Sequence, residues 1–329
     1  QPSFYNQKMK KFDAVFVGLT ILDISGRPVS GIPEGADVGF IDEIKLNPAG
    51  TAAGALLNAA KLGASCTTAA CIGKDEKGSF ILNEYKKLNI DCSLIQETSA
   101  ASTSSTILPI RPNGERPALH CRGASDLLFV EEADFDTVCN ARYLHHGGTG
   151  LLEAMDVQSQ PGGENQSNRL VRHAKQKGLT TSFDLIAPNE HTMDLLKPLL
   201  PFVDYFMPSM EEAEFLSGFK EPDDIAAFFL DLGVGTCIFK WGSQGSFIAT
   251  PDSSFRMPAL KVDVSDTTGC GDSYCGGFIA GLAMGWDLEA SCRLATATSA
   301  MVATGLGSDA GVTDLESTIS FMKTENQLD

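Results

Sequence analysis

The sequence predicts a doubly wound α/β fold: a mostly parallel central sheet with helices on both faces, plus a small β-sheet lid built from two insertions. Three observations predict it. Helix-like runs repeatedly follow apolar strand-like runs, the alternation that winds a parallel sheet. Two stretches, 29–45 and 102–123, break that alternation with prolines, glycines and short strand-like runs in which no long helix fits. The 329 residues, 43% of them hydrophobic, suffice for one large domain with a small appendage. The expected core is residues 1–28, 46–101 and 124–329, and the expected lid is 29–45 and 102–123.

Phe12–Leu19 reads as a buried first strand, and Gly18-Leu19-Thr20-Ile21-Leu22-Asp23 continues from its end. Ligands gather at the carboxyl ends of strands in open α/β sheets, so Asp23 is placed to hold a polar ligand group. A solvated loop aspartate is the plain alternative. The small-residue run Asn47–Gly54 enters a helix that ends at Gly63; close ligand approach or tight helix packing would each account for it. A strand over 67–72, a turn at Gly73–Gly78, a helix over 79–88 and a return to the sheet over 89–94 follow. Thr103–Leu108 and Ala118–Cys121 flank Arg111-Pro112-Asn113-Gly114-Glu115-Arg116, and Asn-Gly is a strong hairpin signal.

From Phe129 the strand–helix alternation resumes. Tyr143–Gly147 contains His145 and His146, which a strand points to opposite faces, so at most one lines a cleft. Thr180–Leu185 carries Asp184 near its end, with Asn189 in the loop beyond. Val203–Met207 leads to Ser209-Met210-Glu211-Glu212, whose acids are ordinary first-turn chemistry. Thr236–Lys240 turns through Gly242-Ser243-Gln244-Gly245 into another strand over 246–249. A β-rich run, Leu260–Val264, leads into Asp266-Thr267-Thr268-Gly269-Cys270-Gly271-Asp272. Helices over 273–284 and 288–304, a glycine-rich loop Gly305–Gly311 and a last helix from Thr313 into a polar tail complete the chain.

Net charge is −17, from 42 acids against 25 Lys plus Arg, which argues against a nucleic-acid backbone or an anionic membrane as main partner. Nine cysteines without CxxC or zinc-ligand rhythm point to a reducing compartment and mostly buried thiols. No apolar run approaches the roughly 18–20 residues that cross a bilayer. Gln1–Lys11 lacks a signal-peptide apolar region, so the expected location is cytoplasmic. The first strand is not followed by GxGxxG, and neither GxxxxGK[ST] nor GxSxG occurs. That sets aside a nicotinamide Rossmann domain, a P-loop kinase and a hydrolase elbow.

The stretch Asp266–Asp272 carries the chemistry. Its small residues let the amides of Gly269, Cys270 and Gly271 converge on an anion at a helix N-terminus. A carboxylate beside bound phosphate repels it and needs a reason. One is that Asp272 takes a proton from a hydroxyl attacking a phosphoryl group. The other is a plain strand-to-helix turn with an acidic cap.

These seven residues closely resemble the second signature of the ribokinase-like carbohydrate kinases, the PfkB family, commonly D-T-x-G-A-G-D. Weaker similarities agree in order from Val17 to about Ser308. The resemblance implies that Asp272 is the catalytic base and that Gly269, Cys270 and Gly271, with the amide of Asp272, form the anion hole for the γ-phosphoryl of ATP. It implies that Asp266 and Ser308 contribute to a monovalent-cation site, K+ being the candidate, and that Glu212 orients magnesium-bound water. Asp23 would hold sugar hydroxyls, with Gly50, Thr51 and Gly54 lining the sugar pocket from the first signature. Lys240, Gly242 and Gly245 would form the nucleotide side, together with Thr268 and Gly271.

His145, Asp184 and Arg111 are further pocket candidates, Arg111 suiting a substrate carboxylate or phosphate. The lid would close over the sugar, exclude water and offer an edge for a homodimer. The chain departs from the family pattern in three places. The first signature begins Ala49-Gly50 rather than Gly-Gly, Gly54 replaces an asparagine, and Ser209 replaces the asparagine of N-x-x-E. The implied activity is an ATP- and Mg2+-dependent kinase acting on a small sugar or sugar acid. A nucleoside kinase and a catalytically silent sugar-binding regulator are the alternatives.

Overall fold

The computed structural model describes residues 10–325. Residues 1–9 and 326–329, which belong to the expected polar N-terminus and tail, lie outside the described residues. The strands are β1 (Phe12–Gly18), β2 (Ile21–Arg27), β3 (Glu43–Ala49), β4 (Cys66–Gly73), β5 (Ile95–Thr98), β6 (Ser105–Pro109) and β7 (Leu119–Cys121). They continue as β8 (Ala141–Thr149), β9 (Thr180–Leu185), β10 (Tyr205–Phe206), β11 (Thr236–Lys240), β12 (Ser246–Ala249) and β13 (Ser254–Met257). The helices are α1 (Thr51–Lys61), α2 (Glu76–Lys87), α3 (Phe135–Val138), α4 (Glu153–Asp156), α5 (Gln166–Gln176) and α6 (Thr192–Leu196). After them come α7 (Met210–Ser217), α8 (Pro222–Asp231), α9 (Cys270–Ala283), α10 (Leu288–Ala303) and α11 (Leu315–Glu325).

Nine strands form the central sheet in the order β13-β12-β11-β10-β9-β8-β1-β4-β5. It is parallel from β5 to β11 and antiparallel at the β12–β13 edge. β1 shows why it is buried on both faces: Ala14 and Phe16 join one apolar cluster with α1 and α9, while Val15 and Val17 join the opposite one. The doubly wound fold is as the alternation of strands and helices predicts.

Several elements differ from the sequence reading. No strand covers 260–264; the last strand is β13, and the chain beyond Pro258, which lacks a donor N–H, runs to the Asp266 loop without sheet partners. The return to the sheet falls at β5 rather than 89–94, because Asn89 takes a positive φ of 54° and prolongs the turn after α2.

The second sheet has four strands in the order β3-β2-β6-β7. Its first pair is β2 and β3, so strand residues begin at Ile21, inside the stretch expected to belong to the core. Residues 29–42, with Gly31, Pro33, Gly35 and Gly39, carry no strand, since prolines and glycines interrupt the ladder there. The expected hairpin is present as the antiparallel β6–β7 pair.

Candidate active site

In-register pairing across the small sheet aligns Asn47, Asp23, Thr106 and His120 in one row. Thr106 Oγ1 and His120 Nδ1 are 2.9 Å apart. Asp23 and Thr106 are buried, whereas the neighbours of opposite parity face solvent: Ile44 is 69% exposed, Ile107 51% and Leu119 63%. Asn47, Asp23 and Thr106 therefore face inward, over the carboxyl ends of the central strands, while His120 on the edge strand β7 is exposed. Lys45 Nζ donates to the Leu306 carbonyl at 2.6 Å, and Arg116 Nε donates to Thr267 Oγ1 at 3.2 Å, so the small sheet rests on both loops expected to bind phosphate and cation.

Beneath it lies the Asp266–Asp272 turn. Gly269 caps α9 with φ 75°, and a Cβ there would lie 2.5 Å from Ser308 Cα, so only glycine lets the turn close on the 305–311 loop. The first turn of α9 then places the amides of Gly269–Gly271 beside Asp272, that of Cys270 donating to the Thr267 carbonyl at 3.3 Å. Asp266 Oδ1 accepts from Thr268 N at 2.9 Å and Thr268 Oγ1 at 2.7 Å, which commits the Thr268 hydroxyl to holding the loop. The other Asp266 oxygen is buried without a partner among the described residues, which suits a cation ligand. Ser308 is buried and gives its carbonyl to Asn58 Nδ2 at 2.9 Å.

Asp272 collects four charges from distant elements. Burial pushes its carboxyl up to about 7; Asp184, Asp23 and Glu212 push the same way and Lys240 opposes them. Gly54 in the first turn of α1 approaches so closely that an added Cβ would lie 2.6 Å from the Asp272 Cβ. Burial also raises Asp23 to about 7, with Arg116 opposing and Asp266 adding to the rise. Glu212 Oε2 accepts from Ser209 N at 2.9 Å in a reciprocal helix cap, and its carboxyl is raised by burial and by Asp184. Cys270, pushed up to about 11 by burial, remains a neutral thiol.

The loops thus bring together Asp272, Gly269–Gly271, Thr268, Asp266, Ser308, Asp23, Gly54, Asp184, Lys240 and Glu212. Gly50 caps α1 with φ 105°, and the Thr51 hydroxyl beside it is buried without a partner among the described residues. Arg111 lines a cavity of about 700 Å³ with Asp266, Thr267, Arg27 and Glu43, and donates to the Val29 carbonyl at 3.2 Å. His145 is fully buried in the core beside Phe16, bonded to Ser182 Oγ at 2.8 Å. His146 stacks on Phe183 on the other face, as alternation requires. Gly242 is exposed, and Gly245 packs its turn against Met257–Ala259.

Asn47, Thr106, His120 and Arg116 lie near the candidate site and are not singled out by sequence reasoning. Arg116, at the end of the Asn-Gly turn, was the one with a local signal.

A family model described as pfkB family carbohydrate kinase matches residues 11–315. An ATP-dependent 6-phosphofructokinase from Thermoanaerobacterium thermosaccharolyticum is 24% identical over 316 residues, covering 93% of this chain and 92% of its own. A 2-dehydro-3-deoxygluconokinase from Bacillus subtilis is 25% identical over 325 residues, covering 96% and 97% respectively. A solved E. coli structure bearing the name ribokinase II, in complex with ATP and Mg2+, aligns with a TM-score of 0.82 at 23% identity. That alignment covers 95% of this chain and 99% of the E. coli chain.

Proposed function

We propose, for a chain that belongs to the pfkB family of carbohydrate kinases and is on that ground a phosphotransferase with an alcohol acceptor, that Asp272 is the base and the α9 turn its anion hole. The observation that carries this is the seating of Asp272: a carboxyl raised to about 7, in the same helix turn as the amides of Gly269–Gly271. A base with that proton affinity accepts a hydroxyl proton near neutral pH. The substrate hydroxyl approaches Asp272 from beneath the small sheet, gives it the proton and attacks the γ-phosphorus of ATP, as the bond to the β,γ-bridging oxygen breaks and ADP leaves. The amides receive the charge that develops on the transferred phosphoryl oxygens. The Asn47–Asp23–Thr106–His120 row offers both donors and acceptors, which suits a polyhydroxylated ligand such as a small sugar or sugar acid.

Mg2+, when bound, would supply positive charge that offsets the charge of the phosphates. Glu212 would hold it through water: one oxygen is engaged by the helix cap, and an ion that relies on phosphates and waters needs only one or two carboxylates. The unpartnered oxygen of Asp266, with Ser308 nearby, suits a monovalent cation such as K+. The outward apolar face of the small sheet, Ile44, Leu46, Ile107 and Leu119, suits a second copy of the chain. Nine thiols, none in a disulfide among the described residues, support a reducing, cytoplasmic setting.

The test is coupled ATP turnover across ribose, fructose, 2-keto-3-deoxygluconate and adenosine, repeated with Asp272→Asn. Sugar-dependent turnover that the substitution abolishes is expected; full turnover in the variant would remove Asp272 as base. For the dimer, Ile107→Glu is expected to give a monomer by light scattering, and a monomeric wild type would end that reading.

A further inference from the structure

We propose that Lys240 and Asp184 are a positioning pair that braces the anion-hole turn from behind, and that neither is a ligand of nucleotide or sugar. Its catalytic consequence rests on the kinase reading above; its geometry does not. Lys240 ends β11 and Asp184 lies near the end of β9, on either side of β10, which is only two residues long. The β10 chain runs on between them, Met207 N bonding the Phe183 carbonyl and Lys240 N the Pro208 carbonyl, and the two side chains meet across it. Lys240 Nζ reaches Asp184 Oδ2 at 2.5 Å, with side-chain exposures of 12% and 1%. An ammonium this buried is retained only where partners compensate its lost hydration.

The partners sit on the turn. Lys240 Nζ is 3.5 Å from the Gly271 carbonyl oxygen and 3.7 Å from Cys275 Sγ, and Cys275 Sγ lies 3.4 Å from Asp184 Oδ2. A Cβ at Gly271 would fall 3.3 Å from Nζ, so glycine there clears the approach. The Gly271 carbonyl shares its peptide group with the Asp272 N–H. A cation on the oxygen side polarises that peptide and strengthens the N–H as a donor to an anion on the other side. The groups facing the ammonium are Asp184 from β9, Glu212 from α7, Asp272 and Cys275 from α9, and His145 from β8. Without Lys240, the Asp184 carboxylate would stand uncompensated behind the site where the transferred phosphoryl gathers negative charge.

The experiment compares wild type, Lys240→Met and Lys240→Met/Asp184→Asn. It measures kcat, KM for ATP, affinity for a non-hydrolysable ATP analogue by calorimetry, and Tm. Lys240→Met is expected to lower kcat about 100-fold, the loss typical of a disabled anion-hole donor. Analogue affinity should stay within about threefold, since ground-state binding is not what the pair supplies. The double variant should regain about tenfold in kcat and most of the lost Tm, because coupled neighbours are not additive.

Analogue binding weakened about tenfold at unchanged kcat would make Lys240 a nucleotide ligand and overturn the proposal. So would a double variant no better than the single. Should Lys240→Met fail to fold, the double variant is read against wild type. A kcat about tenfold lower at unchanged analogue affinity then supports the brace, and an unchanged kcat overturns it. A wild type that phosphorylates no sugar would defeat the kinase reading alone. Analogue affinity and Tm across the three proteins would still decide between a brace and a nucleotide ligand.

Discussion

The floor and the roof of the site are held by opposite means. The floor is built from close backbone approaches and buried charge: Gly269 against Ser308, Gly54 against Asp272, Lys240 against Asp184. The small sheet above rests on it through polar contacts from Lys45 and Arg116 and a buried apolar cluster of Leu108, Ile110 and Leu306, and turns another apolar face away. A floor so constrained would, in the proposed role, fix where the proton and the phosphoryl go. A roof whose lining comes from other strands could differ there without disturbing that chemistry.

The predictions test that division, and the largest effect belongs to the floor. Asp272→Asn should lower kcat by about 10³- to 10⁴-fold, the upper part of what general-base catalysis supplies, with ATP affinity retained. A stopped-flow or coupled assay reads it, and a loss under about tenfold would make Asp272 dispensable. Gly54→Ala is next. Its Cβ would fall 2.6 Å from that of Asp272, closer than carbon atoms pack, so the base or α1 must shift. We expect kcat to fall by roughly 10- to 100-fold, since small misplacements of reacting groups are costly, while KM for ATP changes little.

The pH profile follows from the raised carboxyl. In the proposed role Asp272 works as the anion, and burial raises its carboxyl to about 7. Below that value the protonated form grows, so kcat/KM should fall about tenfold per pH unit as pH decreases and level off above it. A profile flat from pH 5 to 8 (about two units below to one above) would exclude this titration. The smallest effect belongs to the roof. Arg116→Ala removes the contact with Thr267 and the cation near Asp23. We expect KM for the sugar to rise about tenfold, roughly 1.4 kcal/mol, with kcat nearly unchanged. A fall in kcat without a change in KM would move Arg116 to the floor.

What could be read from the sequence divides along similar lines. Asp266–Asp272 is legible because its requirements are local: a left-handed glycine, small neighbours and a helix start within seven residues. The core strands β1, β9 and β11 are legible for the same reason, as short apolar runs before turn residues. The row Asn47–Asp23–Thr106–His120 is not, because it exists only through the register of four strands spread over the first 121 residues. Lys240 and Asp184, 56 residues apart, meet only through the order and register of β9, β10 and β11, and nothing near either residue announces that. β2 was missed because Leu19–Asp23 follows β1 so directly that the change of sheet leaves little punctuation.

The route of the chain between the two sheets has a mechanical consequence. It crosses four times, near Thr20, Ala49, Ser104 and Ala124, and the crossings lie side by side. Ile21 pairs with Ala49, Leu22 N bonds the Ser104 carbonyl at 2.9 Å, and Ser125 Oγ bonds the Thr20 carbonyl at 2.9 Å. Four neighbouring passages stitched together in this way would work as a door hinge. Swinging about that line would break fewer of these bonds than sliding or twisting would. One leaf of the hinge, Ala49, runs straight into Gly50 and the first turn of α1, where Gly54 touches the base. Opening and closing would therefore be felt at Asp272 through the backbone itself.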